Sequence, residues 1–198
     1  MKSQIIPLNK EEMDRLLEIS MENGFFYMLF MVAKTTGRRL GELYGVEDKT
    51  VIKRKVVGKK RVYDKDGNRI IIDRTIPVYK KTNKFSYGVQ LKDINFEKRT
   101  MKVWVLKRRQ MQQDETILTS EVVRLIREYA NRWKLKPEDY VFRHYHYRHI
   151  QNRVGHYGKL AGIKKKISFH NFRHYFITEL LKQGWAYNEV VKLTGHKS

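Results

Sequence analysis

Hydrophobic residues recur every three or four positions over much of the chain, a spacing that predicts amphipathic helices. Asn9 followed by Glu12 matches a capping box that would open the first helix. Residues 25–33 are apolar on nearly every side, so we expect a buried helix there, ending at Thr36-Gly37. Later helices are predicted from a cap at Ser120 through Trp133, around Ile150, Val154 and Leu160, and after a cap at Asn188 with Val190, Val191 and Leu193 inward.

Two other segments have the pattern of strands. Over 49–84, β-branched residues are interleaved with charged ones on both sides of a hairpin turn signal at 64–68. A second hairpin is predicted to return along 101–105, with Lys107 just past that strand and a polar turn over 108–113. These elements predict an α+β fold that is mainly helical, with a small antiparallel sheet and a basic β-hairpin insertion.

The charge of the chain narrows the classes of partner. Lys and Arg number 42 against 21 Asp and Glu, a formal net charge of +21 with a pI of about 10.1. Such an excess indicates a polyanionic partner, either nucleic acid or an acidic membrane surface. The absence of cysteine excludes disulfides and thiolate metal sites. The start of the chain is not signal-like, and the longest apolar run is too short to span a bilayer, so we expect a cytoplasmic protein.

The predicted hairpin insertion, placed at 49–88, is rich in basic residues. Two interpretations stay open: the basic side chains lie along a DNA backbone, or they form a charged edge that resists aggregation. The residues concerned are Lys53, Arg54, Lys55, Lys59, Lys60 and Arg61.

A candidate for chemistry lies near the end of the chain. His170 and Arg173 are three residues apart, so on a helix they would project side by side. Arginine grips two phosphate oxygens with a planar fork, and histidine can exchange a proton near neutral pH. A helical histidine beside a surface arginine with no shared role is the plainer alternative. The apolar residues of this helix, Phe169, Phe172, Phe176 and Leu180, are predicted to face the core.

Three short motifs, in this order, resemble those of the tyrosine recombinases. Residues 36–43, Thr-Gly-Arg-Arg-Leu-Gly-Glu-Leu, resemble the first arginine box of that family, T-G-x-R-x-x-E-L. Residues 170–174 match its H-x-x-R-H box, and 193–196 resemble its L-G-H box with Thr194 as an extra residue. The resemblance covers nearly all of 1–198 and implies the family's catalytic domain. It implies site-specific DNA recombination by strand cleavage and rejoining, with Arg39 rather than Arg38 as the first catalytic arginine.

The resemblance also implies a division of roles. Arg39 and Arg173 would clamp the scissile phosphate, Lys107 would protonate the leaving 5′-oxygen, and His170 would serve as acid and base for a tyrosine nucleophile. His196 would donate a hydrogen bond to the phosphate. The bond energy would be kept in a 3′-phosphotyrosyl link, so no cofactor and no metal are expected. The expected partners are duplex DNA and further copies of the chain, from dimer to tetramer. Other residues expected to contact the DNA are Arg38, Arg108, Arg109 and His174.

The chain departs from the family pattern at both ends. The nucleophilic tyrosine is expected just beyond Ser198, and no residues match the family's N-terminal core-binding domain. We therefore interpret 1–198 as a fragment that would be inactive alone. Tyr175 and Tyr187 are predicted to be structural.

Three other functions are alternatives to recombination. A catalytically inactive DNA-binding remnant, or a regulator that occupies recombination sites, is the main alternative. His144, His146 and His149 suggest a metal-dependent nuclease, but no carboxylate is close to them in sequence, and packing or DNA contact suits them better. A membrane-surface protein would need a long amphipathic helix with a lysine face, which the pattern lacks.

Overall fold

The computed structural model describes residues 7–63, 65, 69–107 and 110–194, without the side chains of 49–54, 79, 81, 83, 106, 107 and 110. It divides into two compact units, Glu47–Ser86 and the rest of the described chain. The helices are α1 (Lys10–Ser20), α2 (Gly24–Thr36), α3 (Leu40–Tyr44), α4 (Ser120–Trp133), α5 (Tyr147–Leu160), α6 (His170–Lys182) and α7 (Tyr187–Thr194). The strands are β1 (Val46–Tyr63), β2 (Arg69–Ser86), β3 (Ile94–Asn95), β4 (Thr100–Lys107) and β5 (Gln110–Ile117). The α+β prediction is confirmed.

The larger unit is built around α2, which packs against α1, α4 and α6. Local signals place its first helices. The Asn9 side chain accepts from the Glu12 N–H at 2.8 Å and the Glu12 carboxylate accepts from the Asn9 N–H at 2.9 Å, which confirms the predicted capping box. Phe30 of α2 is fully buried and its ring lies 4.9 Å from that of Phe172 in α6. The apolar face of α6 is thereby fixed against the centre of the core.

The small sheet of this unit has the strand order β3-β4-β5, with antiparallel pairing. Met101, Val103 and Val105 of β4 are buried, as their alternation predicts. The turn predicted over 108–113 is wrong in part, because β5 begins at Gln110 and pairs with β4. Its first half is polar because the side chains of 111–117 are exposed or half-buried, so the hydrophobic alternation that marks a half-buried strand is missing there. Lys107 is the last residue of β4 rather than the residue after it.

Several helix ends differ from the predictions. Thr119, not Ser120, caps α4 by accepting from the Val122 N–H. Asn188 lies inside α7 rather than at its cap, because the helix already begins at Tyr187. Trp133, Leu160 and Leu193 are 45–51% exposed although their spacing places them on apolar stripes. All three lie in the last turn of their helices, where the stripe runs past the core.

The smaller unit, Glu47–Ser86, consists of β1 and β2 paired with each other, and we call it the ribbon. Each strand has 18 residues, so the ribbon is roughly 60 Å long at the usual rise. At its base, the Thr82 hydroxyl donates to the Asp48 carbonyl at 2.8 Å, and the Ser86 hydroxyl donates to the Asp48 carboxylate at 3.1 Å. Large apolar side chains remain exposed along it, namely Val56, Val57, Tyr63, Ile70, Ile71, Ile72 and Ile76.

In the described part of the chain, no helix combines the length and the apolar character needed to cross a membrane.

Gly37 ends α2 in the left-handed region, with φ +62°, and its N–H donates to the Ala33 carbonyl at 3.0 Å. A Cβ at this position would overlap the Phe176 ring of α6. The glycine is therefore needed both for the backbone angle and for the close packing of α2 on α6.

Gly37→Ala is expected to lower the free energy of unfolding by about 2–4 kcal/mol, combining a left-handed penalty with overpacking. Gly162→Ala is the matched control, because Gly162 has a similar φ of +69° and no atom within 4 Å of an added Cβ. The control should lose only about 1–2 kcal/mol. Urea unfolding of both variants measures the difference, and equal losses would contradict the packing argument.

Candidate active site

The turn between α2 and α3 holds the first arginine of the site. The Glu42 carboxylate accepts from the Arg39 backbone N–H at 3.0 Å and from the Arg39 guanidinium at 2.7 Å. The Glu42 side chain is 7% exposed and that of Arg39 is 41% exposed. Glu42 thus caps α3 and holds the Arg39 guanidinium through an ion pair, while the exposed part of the guanidinium remains open to a ligand.

Arg173 lies on α6 and is only 1% exposed. Its guanidinium donates to the Gly37 carbonyl at 2.9 Å and to the Thr194 carbonyl. Both carbonyls are at the C-terminal ends of helices as described, where partial negative charge favours a cation. Burial, then the nearby Arg39, lowers the pKa of Arg173 to about 10, so it stays charged at neutral pH.

His170 opens α6 next to these arginines. Its ring and that of His174 meet edge to face, with centroids 4.8 Å apart. Burial lowers the pKa of His170 below its usual value, and His174, Arg173 and Arg39 lower it further. Burial and then Arg173 also lower the pKa of His174. Burial thus favours the neutral form of both imidazoles, which is the form that can accept a proton.

The structure thus brings three of the five predicted catalytic residues together: Arg39, His170 and Arg173. Lys107 has its backbone at the end of β4, but its side chain lies outside the described part, as does the whole of His196. The pairing of His170 with Arg173 also departs from the plainer alternative, because Arg173 is buried rather than a surface residue.

The prediction that Arg38 contacts DNA is contradicted. Its side chain is 2% exposed, and it forms an ion pair with Asp114 at 3.1 Å. A guanidinium buried in this way presents no surface to a duplex. His174 is half-buried beside His170. In the ribbon, Lys55, Lys59, Lys60 and Arg61 are exposed. The predicted contacts that fall outside the described side chains are Lys53, Arg54, Arg108 and Arg109.

Sequence reasoning missed two acidic residues near the site. Glu42 could have been found, because it is the glutamate of the T-G-x-R-x-x-E-L box and lies three residues after Arg39. Asp114 gave no comparable signal, since it lies 76 positions from Arg38 in a polar strand.

Two of the histidines that suggested a metal site, His144 and His149, pack against aromatic rings. His144 lies 4.5 Å from the Trp133 ring and 4.7 Å from that of Tyr145, which also faces His149. Among residues with described positions, no three His, Asp or Glu side chains converge on a point that could hold a metal ion. Packing, one of the predicted roles of these residues, is what the structure shows for His144 and His149.

Comparison with known proteins gives the family. The sequence pattern of the "Phage integrase family" matches residues 86–198, more than half of the chain. The chain therefore belongs to the phage integrase family of tyrosine recombinases. It is similar to a tyrosine recombinase of Pseudothermotoga lettingae, with 34% identity over 84 residues, 41% of this chain and 29% of that protein.

Solved structures share the fold over the whole chain. The chain resembles XerA recombinase with a TM-score of 0.68 at 20% identity, and it spans 57% of that protein. It resembles XerH recombinase bound to its difH substrate (TM-score 0.61, 16% identity, 49% of that chain). It also resembles the Tn1549 transposon integrase in complex with transposon end DNA (TM-score 0.58, 16% identity, 61% of that chain). The chain thus spans about half the length of these recombinases.

The charges around His170 can be tested by titration. In the wild type, both His170 and His174 should titrate below 6.5, their ordinary pKa. Arg39→Gln removes a cation that lowers the pKa of His170 but does not contribute to the lowered pKa of His174. The variant should therefore raise the pKa of His170 and leave that of His174 in place. NMR of the imidazole resonances between pH 4 and 8 measures both pKa values. An unchanged pKa of His170 in the variant would contradict the placement of Arg39 beside it.

Proposed function

We propose that the protein recombines DNA at specific sites, cleaving and rejoining strands through a 3′-phosphotyrosyl intermediate. The observation that carries the proposal is the cluster of Arg39, Arg173 and neutral His170 at the junction of α2, α3 and α6. Its residues match the family's motifs in type and order, and their proximity supports a shared phosphate ligand.

The two arginines suit a phosphate whose charge grows during reaction. Arg39 and Arg173 are close enough for one to lower the pKa of the other, so they repel each other in the free protein. An anion between them relieves that repulsion, and relief is greatest when the phosphate carries most charge. Such a pair stabilises the transition state more than the ground state. Arg173 supplies a fixed position, and the open side of Arg39 supplies access.

The remaining groups move protons. The oxygen of a tyrosine, from this copy or a second one, forms a bond to phosphorus as the bond to the 5′-oxygen breaks. His170 takes the tyrosine proton, as its neutral state allows, and Lys107 gives a proton to the leaving oxygen. His196 donates a hydrogen bond to the phosphate. One ester replaces another, so the exchange requires neither ATP nor a metal ion.

Duplex DNA is the proposed partner, bound in the cytoplasm by two to four copies of the chain. The ribbon, 47–86, has 13 Lys and Arg against 5 Asp and Glu. Its charged side chains Lys55, Lys59, Lys60 and Arg61 are exposed, which supports contact with phosphates along the duplex.

Arg39→Lys should reduce the rate of covalent adduct formation on a nicked DNA duplex by about 10²–10³-fold, because a point charge replaces a planar fork. The full-length gene product is used, and adducts are resolved by denaturing gel and intact mass. The fold should persist, since the Arg39 side chain is 41% exposed. Arg124→Lys is the control, at an arginine that also pairs with a nearby glutamate and is similarly exposed. DNA binding without any wild-type adduct would instead favour a DNA-binding remnant.

Replacing Lys59, Lys60 and Arg61 with alanine should weaken DNA binding about equally for all sequences. The slope of log K against log salt is negative, and its magnitude should decrease by up to about 3, because three phosphate contacts release about three counterions. A control variant removes the same charge at the exposed Lys98, Lys134 and Lys136 of the larger unit. Fluorescence anisotropy across a salt series compares the two. Equal slopes would favour the charged-edge role, which protects the ribbon from aggregation.

A further inference from the structure

Arg38 and Arg39 are neighbours with opposite environments. The Arg39 guanidinium is partly open, whereas that of Arg38 is buried and directed into the protein. Arg38 donates to the Asp114 carboxylate at 3.1 Å and to the Glu115 carbonyl at 3.4 Å. These bonds join the turn that carries Arg39 to strand β5.

Only the arginine of this ion pair is fully buried: the Arg38 side chain is 2% exposed and that of Asp114 is 26% exposed. Desolvating the guanidinium offsets much of the attraction between the two charges, and apolar side chains of similar size often stabilise a fold as well or better. What a charged pair adds is a defined geometry, because the guanidinium fork fits its carboxylate and carbonyl partners in few orientations. The pair therefore suggests a need for exact register between the turn and the strand.

The register of the β4–β5 hairpin shows which segments the Arg38–Asp114 ion pair would position. Asp114 lies opposite Val103 of β4, which is fully buried, so both side chains lie on the same face of the sheet. Lys107 is four residues further along β4, roughly 13 Å from Val103 at the usual rise. α3, which follows Arg39 directly, also packs on β4. The ion pair thus fixes the base of the hairpin whose tip carries Lys107.

We propose that Arg38 is a positioning residue: its ion pair with Asp114 sets the hairpin against the Arg39 turn, so that Lys107 and Arg39 meet the same phosphate. This inference rests on the proposed recombinase function. It differs from a purely structural role, in which the inward charge of Asp114 would only stabilise the fold or protect an edge strand.

The test uses DNA in which sulfur replaces the bridging 5′-oxygen at the cleavage site. A thiolate leaves without a proton, because thiols are far more acidic than alcohols, so the defect of a misplaced acid is rescued. Asp114→Asn is nearly isosteric. With ordinary DNA it should slow cleavage by roughly 10²-fold, the usual cost of an ångström-scale misplacement. With the sulfur substrate, cleavage should return to within about tenfold of wild type.

Two controls bracket this result. Lys107→Ala should show the same rescue, and Arg39→Lys should show none, because a better leaving group does not replace a phosphate clamp. If Asp114→Asn loses stability, the double variant Arg38→Met, Asp114→Leu keeps the site apolar and packed, and is measured in the same way. Equal loss on both substrates, or no loss on either, would overturn the positioning role. A wild type that forms no adduct with either substrate would overturn the proposed function itself.

Discussion

The buried guanidinium of Arg173 is the constraint on which the site depends. It donates to the carbonyl of Gly37 and to that of Thr194, so α6 is tied to the ends of α2 and α7 as described. Truncating this side chain would leave two buried carbonyls without their donor, at about 1–3 kcal/mol each. The residue that would clamp phosphate is thus also the residue that assembles the segments around it, which is why Arg39 is the better position at which to test chemistry.

The three arginines of the site differ in how deeply they are buried and in what they pair with. Arg38 is fully buried and paired with a carboxylate, and Arg39 is half open above Glu42. Arg173 is buried against helix C-terminal carbonyls, which carry only partial charge. Burial, and then the neighbouring Arg39, lower the pKa of Arg173, so its charged form is disfavoured in the free site. Under the proposed function, a bound phosphate would offset that cost, and the stability given up by the free site would become affinity for a negatively charged transition state.

Sequence reasoning succeeded where the determinants were local. The capping box at Asn9, the buried helix α2 and the side-by-side placement of His170 and Arg173 each depend on residues within one or two turns. It failed where distant residues decide. Arg38 is buried because of Asp114, which lies on another element, and nothing near Arg38 in the sequence signals that partner. The start of β5 gives no strand signal because no side chain over 111–117 is buried, so hydrophobic alternation is not needed there. The spacing of Leu193 predicts an inward side chain, but spacing carries no information on where the core ends.

The ribbon raises a different physical question, because two strands alone are rarely stable in water. Its described side chains bury little, and seven large apolar ones among them are exposed. Its positive charges are also close enough to repel one another along 40 residues. A polyanion removes that repulsion and lets the apolar side chains pack against sugars or bases, so DNA would stabilise the ribbon as it is bound. The exposed isoleucines and the excess of lysine look contradictory for a free hairpin, but they would be compatible in a segment that is stable when bound to DNA, as proposed.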